Sequence, residues 1–217
     1  MTELFDEVDE EVRREQLKKL WDKYSIYFIA LMVLIVAAVG GWRAYQYVEG
    51  TKAAEASAAF DKAVELSDQN KHAEAEAAFN DLAAKAPSGY RTLARLRAAA
   101  EAATRDPQAA AKMYEAVAAD RSVGAEQQEF ARVRAACLLV DTAPYADLLQ
   151  RLEPSTTATS TFRHSAREML ALSAWRSGDM SAARKWLDAI AEDGETPPSL
   201  RSRAEALQAL LPPVAKS

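Results

Sequence analysis

The sequence predicts an all-α protein in which a single amino-terminal transmembrane helix is followed by an α-solenoid of short helices. Three observations support this fold class. Residues 24–42 carry no charged side chain, the later sequence lacks the apolar–polar alternation typical of strands, and alanine-rich helical segments recur about every 35 residues. We therefore expect an amino-terminal segment (1–23), a transmembrane helix (24–42), a repeat domain (43–211) and a flexible tail (212–217).

The uncharged run has the length of a membrane span. At about 1.5 Å per residue its helix would be roughly 28 Å long, close to the ~30 Å hydrocarbon core of a bilayer. Aromatic residues flank both ends, as they do at membrane interfaces: Trp21, Tyr24 and Tyr27 before the run, and Trp42, Tyr45 and Tyr47 after it. The alternative is a buried core helix of a soluble domain, but such a helix usually keeps a polar face.

The charges on both sides of the run predict its orientation. More basic residues lie on the amino side than on the carboxyl side: Arg13, Arg14, Lys18, Lys19 and Lys23 against Arg43, Lys52 and Lys62. Since basic flanks stay in the cytoplasm, we expect a cytoplasmic amino terminus and an exported repeat domain. A cleaved signal peptide is the competing interpretation, but the long acidic amino region and the length of the apolar run argue against it.

The amino-terminal segment is predicted to be helical. Its acidic residues come first and its basic residues last, which complements a helix dipole. Apolar residues recur at intervals of three and four, which places them on one helix face: Leu4, Phe5, Val8 and Val12. Two interpretations remain open, a solvated helix that leads into the membrane and a short docking helix for a partner.

The region after the span contains an internal repeat. Ala94–Ala100 matches Ala131–Cys137, and a weaker copy covers Ala166–Ala171. Second helices repeat as well, since Ala75 with Phe79 recurs as Ala110 with Tyr114. Self-similarity at this period in helix pairs is typical of a helical solenoid.

Glycine and proline residues divide the repeat region, beginning with Gly50. We expect four helix pairs, at about 52–87, 89–122, 125–153 and 161–193, and a last helix from Pro197 to Leu211 that closes the stack. Thr196 is predicted to cap that helix, with Pro197 at its first position. The Ser/Thr-rich stretch 153–161 is predicted to be a linker at which the solenoid hinges.

The sequence offers no catalytic constellation. Its two histidines, His72 and His164, have no second histidine or cysteine at ligand spacing, so we expect structural or solvent-facing roles. Cys137 lies among apolar residues and is predicted to be a small core residue. Phosphate-loop, nucleophile-elbow and zinc-protease motifs are not found. We expect a non-enzymatic protein with no cofactor, no metal and no small-molecule substrate.

The net charge of −5 is unremarkable. No strongly basic face is present, so nucleic acid is not expected as a partner.

Residues 70–87 resemble the second half of a tetratricopeptide repeat (TPR), with Ala75, Phe79 and Pro87 at the small, aromatic and proline positions. Gly178, Asp179 and Ala183 are similar to the turn and the small residue that open a later helix. Small residues match the sites of close helix approach: Ala63, Ala98, Ala135 and Ala171. Since Lys62 and Arg97 stand where the family usually has leucine, the resemblance implies a degenerate TPR-like solenoid.

The order of segments resembles the YfgM-like family, ancillary subunits of the SecYEG protein-export translocon. The matching stretches are Glu7–Lys23, the end of the span at Gly40–Arg43 followed by Tyr45, and repeats that begin near Ala54. The resemblance implies a bacterial inner-membrane protein whose periplasmic repeat domain works beside the Sec translocon, with a membrane-anchored periplasmic chaperone of the prolyl-isomerase type, on exported client proteins. An adaptor for cell-envelope assembly or division, independent of the translocon, is the alternative.

Four residues are candidates for partner binding. If the TPR alignment holds, Arg95, Arg132 and Arg167 occupy equivalent concave-side positions and could form a basic ladder for acidic side chains or a chain-terminal carboxylate. Salt bridges between neighbouring repeats are the alternative role. Trp175 is predicted, with Trp186, either to pack between repeats or to present an aromatic patch to clients.

Overall fold

A computed structural model of the chain describes residues 3–213, with the side chains of Arg14 and of residues 18–213. The side chains of the predicted amino-terminal stripe, and residues 214–217 of the predicted tail, lie outside this description. The described part of the chain is all-α and contains no strand. Its helices are α1 (Glu3–Asp68), α2 (His72–Lys85), α3 (Ser88–Ala102), α4 (Pro107–Ala118), α5 (Ala125–Leu139), α6 (Tyr145–Leu152), the 3-10 helix η1 (Glu153–Thr156), α7 (Arg163–Arg176), α8 (Met180–Ala191) and α9 (Pro198–Ala209).

The long first helix contains the apolar run. Gly50, predicted to separate two helices, lies inside α1 instead. A single glycine costs an exposed helix only about 1 kcal/mol relative to alanine, which strong helix formers on both sides can offset. The sequence signal was therefore too weak to mark a boundary.

The chain divides into two compact units, Met1–Lys52 and Ala53–Ser217. In the first unit, every residue from 24 to 42 except Ser25 is exposed. The helical stretch Lys18–Asp68 includes a window with a mean hydropathy of 2.2, none of it buried, and is long and apolar enough to cross a membrane. A core helix of a soluble domain would instead be covered by other elements.

The second unit consists of helix pairs packed in chain order. The end of α1 packs on α2, where the ring of Phe60 meets that of Phe79. The following pairs are α3 with α4, α5 with α6 and α7 with α8. These pairs fall in the four predicted segments, except that α3 begins one residue earlier, at Ser88, and α9 packs on the last pair. The predicted fold class of an apolar amino-terminal helix and a TPR-like helical array is confirmed.

Small residues allow the paired helices to approach closely. Ala63, Ala98, Ala135 and Ala171 are all buried, as the repeat pattern predicts. The aromatic side chains of Phe79 and Tyr114 are buried in successive core clusters. The first consists of Ala56, Ala63, Ala75, Phe79, Leu82, Ala86, Ala94 and Ala98. The second consists of Ala99, Ala111, Tyr114, Val117, Val123, Ala131 and Ala135. A third cluster around Leu148, Leu170 and Leu187 continues the core to α9.

Two local predictions were wrong. Cys137 is exposed, because it lies on the outer side of α5 while its neighbours Ala135 and Ala136 face the core. Thr196 does not cap α9, which begins one residue later than predicted, at Pro198 with Pro197 as its cap residue. The buried hydroxyl of Thr196 instead donates to the carbonyl oxygen of Ile190 at 2.8 Å, near the end of α8.

The predicted linker at 153–161 is partly helical. It begins with η1, and its serines Ser155 and Ser160 are buried. The Ser160 hydroxyl donates to the Glu129 carboxylate of α5. The segment therefore packs on the array, and hinge motion at this place stays a prediction.

Candidate binding site on the repeat array

Arg95 binds the end of the helix that follows its own. Its guanidinium extends from α3 and donates to the carbonyl oxygen of Ala116 at 3.1 Å and to the carboxylate of Asp120 at 2.6 Å. The last carbonyls of a helix have no partner within the helix, and they carry the negative end of its dipole. Arg95 therefore caps the carboxyl terminus of α4.

Asp120 is held in place by two further donors. Its carboxylate accepts from the backbone N–H of Ser122 at 2.9 Å and from the hydroxyl of the same residue at 2.7 Å. The hydrogen bond from the Ser122 hydroxyl, then that from Arg95 and then that from the Ser122 backbone, lower the pKa of Asp120 to about 2. The carboxylate is thus charged at neutral pH and oriented toward Arg95.

Arg167 makes the same contacts two repeats later. It extends from α7 and donates to the carbonyl oxygen of Ala189 at 3.0 Å and to Asp193 at 2.9 Å. Asp193 also accepts from the backbone N–H of Glu195 at 3.1 Å and from Arg163 at 2.8 Å. Hydrogen bonds from Arg163, and then from Glu195 and Arg167, hold the pKa of Asp193 well below its usual range.

Arg95 and Arg167 are therefore each engaged inside one helix pair. Neither carboxylate partner belongs to a neighbouring repeat, although Arg167 also donates to the carbonyl oxygen of Thr156 in η1. The side chains of Arg95 and Arg167 therefore form neither a ladder of unpaired cations nor a row of salt bridges between repeats. Whether a partner protein reaches them stays a prediction.

Arg132 differs from the other two. It extends from α5 and is half-buried, and within residues 3–213 its guanidinium has no hydrogen bond or ion pair. It lines a groove of about 350 Å³ between α4, α5 and the end of α6. The other lining residues are Glu115, Ala118, Ala119, Ala135, Gln150, Arg151 and Pro154.

An ion pair crosses this groove. Arg151 of α6 donates to the carboxylate of Glu115 on α4, which links two neighbouring helix pairs. Since those two charges neutralise each other, the charge of Arg132 gives the groove lining a net charge of +1. A half-buried guanidinium without an internal partner favours a carboxylate ligand, which it can bind through two parallel hydrogen bonds.

The two predicted tryptophans have different environments. Trp186 is buried in the third core cluster, and its indole N–H donates to the hydroxyl of Tyr145 at 2.9 Å. Trp175 is 39% exposed on α7, one turn after Leu172, which is 38% exposed. Trp186 therefore packs between helix pairs, and an aromatic contact of Trp175 with a client stays a prediction.

Both histidines contact polar side chains. His72 lies 2.7 Å from the Glu101 carboxylate. His164 is buried, with its Nδ1 3.1 Å from the Thr196 hydroxyl oxygen. Since that hydroxyl donates its hydrogen to Ile190, the His164 Nδ1–H must be the donor to Thr196. Burial, and then the positive charge of Arg163, lower the pKa of His164.

Sequence reasoning did not identify the aspartates that pair with the arginines. Asp120 and Asp193 each lie two residues after the last residue of a second helix and two before the backbone N–H they accept from. Aspartate commonly makes this local turn. An aspartate at this position in two copies of the repeat was therefore a readable signal. Among the described residues, no cluster of three or more potential metal ligands is found.

The helix pairs, the small residues between them and the closing helix define a TPR-like helical array. A model of the tetratricopeptide repeat-like domain family matches residues 18–185, which is more than half of the chain. The chain therefore belongs to this family. No curated protein and no solved structure matches it significantly. TPR-like domains are typically protein-interaction modules, so protein partners are the expected ligands of this array.

Proposed function

We propose that the protein is a non-enzymatic, membrane-anchored interaction protein. The observation that carries this proposal is the exposure of the apolar run. Between residues 24 and 42 only Ser25 is not exposed, and Val36 is 68% exposed and Leu34 65%. A bilayer would cover these side chains, and the helix satisfies its own backbone hydrogen bonds as a span must. The TPR-like array then supplies the surface that binds other proteins.

The proposed orientation places the array in the periplasm of a bacterial cell and the amino terminus in the cytoplasm. The excess of basic residues before the span supports it. We would fuse alkaline phosphatase or a fluorescent protein that matures only in the cytoplasm after Ser217. Phosphatase activity without fluorescence is expected. The opposite pattern, or recovery of the array in the soluble periplasmic fraction after cleavage of the amino-terminal segment, would contradict the proposal.

The finer proposal is an ancillary subunit of the Sec translocon. It is supported by the resemblance of the amino segment, the span and the early repeats to the YfgM-like family, and by the family match of the array. The proposed partners are translocon subunits, a membrane-anchored periplasmic chaperone of the prolyl-isomerase type and exported client proteins. A span next to the channel would raise the local concentration of the array near emerging chains, so weak contacts would suffice.

Crosslinking in intact cells tests this role. A photoreactive residue at exposed Leu93 or Trp175 is expected to capture translocon or chaperone subunits from the full-length protein. A matched variant replaces residues 24–42 with a leucine–alanine span of the same length, and a second variant lacks residues 1–43. If the span is only an anchor, the first variant should retain capture while the second loses most of it.

The same experiment distinguishes the translocon subunit from the alternative function, an adaptor for envelope assembly or division. Capture of envelope-assembly or division proteins without any translocon subunit would favour the adaptor and overturn the translocon proposal. Loss of capture in the leucine–alanine variant alone would show that the side chains of the span, and not only its length, contact the partner.

A further inference from the structure

Basic residues are concentrated on the amino side of the apolar run. Residues 13–23 contain five basic and two acidic residues, a net charge of +3, whereas the equally long stretch 43–53 contains two basic and one acidic residue, a net charge of +1. We call these stretches the amino flank and the carboxyl flank. Trp21 is 60% exposed and Trp42 62%, so the two flanks differ in charge and not in the exposure of their aromatic residues.

The cations of the two flanks also differ in their contacts. Lys18 and Lys23 are exposed, and neither forms an ion pair with another described side chain. The Lys23 ammonium lies 5.5 Å from the ring centre of Tyr24. On the carboxyl side, Lys52 is paired with Glu49 at 3.8 Å. The carboxyl flank therefore neutralises one of its cations internally.

The amino-flank cations lie at the depth of lipid headgroups. With about 1.5 Å of rise per residue, Lys23 lies about 1.5 Å and Lys18 about 9 Å beyond the first residue of the span. A headgroup layer is about 5–8 Å thick on each side of the hydrocarbon core, and the field of its charges extends about 8 Å further into water. Lys23 therefore lies among the headgroups, and Lys18 and the exposed Arg14 lie within reach of their charge.

The basic positions are distributed around the helix and do not form a stripe. Successive residues of an α-helix are rotated by about 100°, so Lys18 and Lys23 lie about 140° apart around the axis. The five basic positions of the amino flank leave no gap wider than about 100°. A protein docked on one side of the helix would contact only part of this set. Lipid headgroups contact a span from all sides, so the distribution favours a lipid surface.

The acidic part of the amino-terminal segment lies away from the bilayer. Residues 3–11 contain six acidic residues and no basic one. Because α1 runs without interruption from Glu3 to Asp68, this stretch begins about 20 Å beyond the span and extends away from it. The order of acidic, basic and apolar segments along one helix thus places the net positive segment next to the headgroups.

We propose that the amino flank binds the acidic headgroups of anionic phospholipids and enriches these lipids around the helix on that side of the membrane. Recognition is by charge. A basic residue next to an acidic bilayer surface strengthens binding about fivefold. The carboxyl flank has a smaller net charge and an internal ion pair, so its attraction for the same lipids is weaker.

This inference rests on the span of the proposed function, but on neither its orientation nor its protein partners. Enrichment around the amino flank follows from the order of charges along α1, whichever side of the membrane that flank occupies. Failure of the translocon crosslinking experiment would leave it standing.

Lipid photocrosslinking at two matched positions tests the proposal. The full chain is reconstituted in vesicles with equal amounts of phosphatidylglycerol, which is anionic, and phosphatidylcholine, which is zwitterionic. Photoreactive benzoylphenylalanine stands in place of Trp21 in one sample and of Trp42 in another, and mass spectrometry identifies the captured lipids. We expect the enrichment of phosphatidylglycerol to be about two- to fivefold greater at position 21 than at position 42.

The two positions distinguish failure of this inference from failure of the anchored array. Capture of both lipids in the same proportion at positions 21 and 42 would overturn the headgroup preference and leave the span standing. Capture of no lipid at either position would contradict the span itself, and with it both proposals.

Matched double variants assign the preference to the amino flank. Lys18→Gln with Lys23→Gln lowers the net charge of that flank from +3 to the +1 of the carboxyl flank, and the enrichment at position 21 should fall to about that at position 42. Glu49→Gln with Lys52→Gln also neutralises two charged side chains but keeps the net charge of its flank, so it should change neither value. Equal effects of the two double variants at position 21 would overturn the assignment.

Free phosphate is a second source of the same anionic chemistry. Inorganic phosphate added at constant ionic strength should leave the enrichment at position 21 unchanged, because the flank is attracted by a surface of many charges. Raising the salt from about 0.1 M to about 1 M should abolish most of it, since the screening length falls from about 10 Å to about 3 Å. Loss of enrichment with phosphate would indicate a site for the free anion, and enrichment that persists in high salt would exclude recognition by charge. Either result would overturn the proposal.

Discussion

Glu101 and His72 form a contact of 2.7 Å that joins the end of α3 to the start of α2. The same carboxylate accepts the Ser67 hydroxyl of α1 at 2.7 Å, and Glu101 is only 5% exposed. A buried carboxylate is costly unless its oxygens are satisfied. These two donors thus connect three helices around one acidic side chain.

We predict that removing one donor destabilises the array. Ser67→Ala should lower the free energy of unfolding by about 1–3 kcal/mol, because a buried carboxylate oxygen loses its partner. Urea unfolding followed by circular dichroism measures the change. Ser57→Ala, at an intermediate position of α1 for which no such contact is found in the described chain, is the control. Equal stability of both variants would show that Ser67 contributes nothing.

The small residues between helices give a second prediction. Ala98 is fully buried, so Ala98→Leu forces a larger side chain into a packed site and should cost about 1–3 kcal/mol. Ala77 is exposed in the middle of α2, and Ala77→Leu makes the same chemical change without a packing conflict. It should alter stability by no more than about 0.5 kcal/mol. If both substitutions lowered the denaturant midpoint equally, the result would contradict the close approach of the helices at Ala98.

Sequence patterns predicted the features that repeat. The spacing of Ala98, Ala135, Phe79 and Tyr114 was sufficient to identify the helix pairs and their buried faces, because each position recurs at the same place in successive pairs. Periodicity reports which face of a helix is buried, and the repeat confirms it several times.

Features that depend on a single side chain or on three-dimensional contact were harder to predict. Cys137 lies in an apolar stretch, yet its position on α5 turns it outward. Thr196 is a residue type that commonly caps helices, but its hydroxyl donates to the carbonyl oxygen of Ile190 instead. For the binding site, the sequence identified the three arginines. Only the structure separated Arg132 from the others, because the partners of Arg95 and Arg167 lie 25 and 26 residues away in sequence.

Buried His164 predicts a loss of stability in mild acid. Its pKa in the folded chain lies below the ordinary value of about 6.5, chiefly because of burial. As pH falls from 7 through 6.5 toward the folded pKa, the unfolded chain binds a proton that the folded chain does not. The free energy of unfolding therefore decreases with falling pH.

The comparison of the natural chain with His164→Gln tests this effect by thermal unfolding between pH 7 and pH 5. The variant is expected to lose less stability over this range than the natural chain. Asp120 and Asp193 do not interfere between pH 7 and pH 5. Their pKa values are lowered in the folded chain, so the stability that they contribute is present above the unfolded pKa of 3.8 and is lost at lower pH. A steeper loss in the variant would reverse the assigned direction of the His164 pKa.

The turn between α7 and α8 predicts that alanine is unfavourable at Gly178. Gly178 has a φ of +83°, and the backbone N–H groups of Gly178 and Asp179 donate to the carbonyl oxygens of Trp175 and Ala174 at 3.1 and 2.9 Å. This pattern closes a helix with a residue in the left-handed region, where a Cβ atom is disfavoured. Gly178→Ala should therefore lower the free energy of unfolding by about 1 kcal/mol, although no atom lies near the added carbon.

Gly89 is the matched control for the same substitution. It lies inside α3 without a positive φ, and an added Cβ would also meet open space. Since alanine is the better helix former, Gly89→Ala should raise the free energy of unfolding by about 0.5–1 kcal/mol. Urea titrations of the two variants should thus show midpoints that move in opposite directions. A rise in both would mean that the turn at Gly178 tolerates a side chain and that its backbone conformation is not required for α8 to pack on α7.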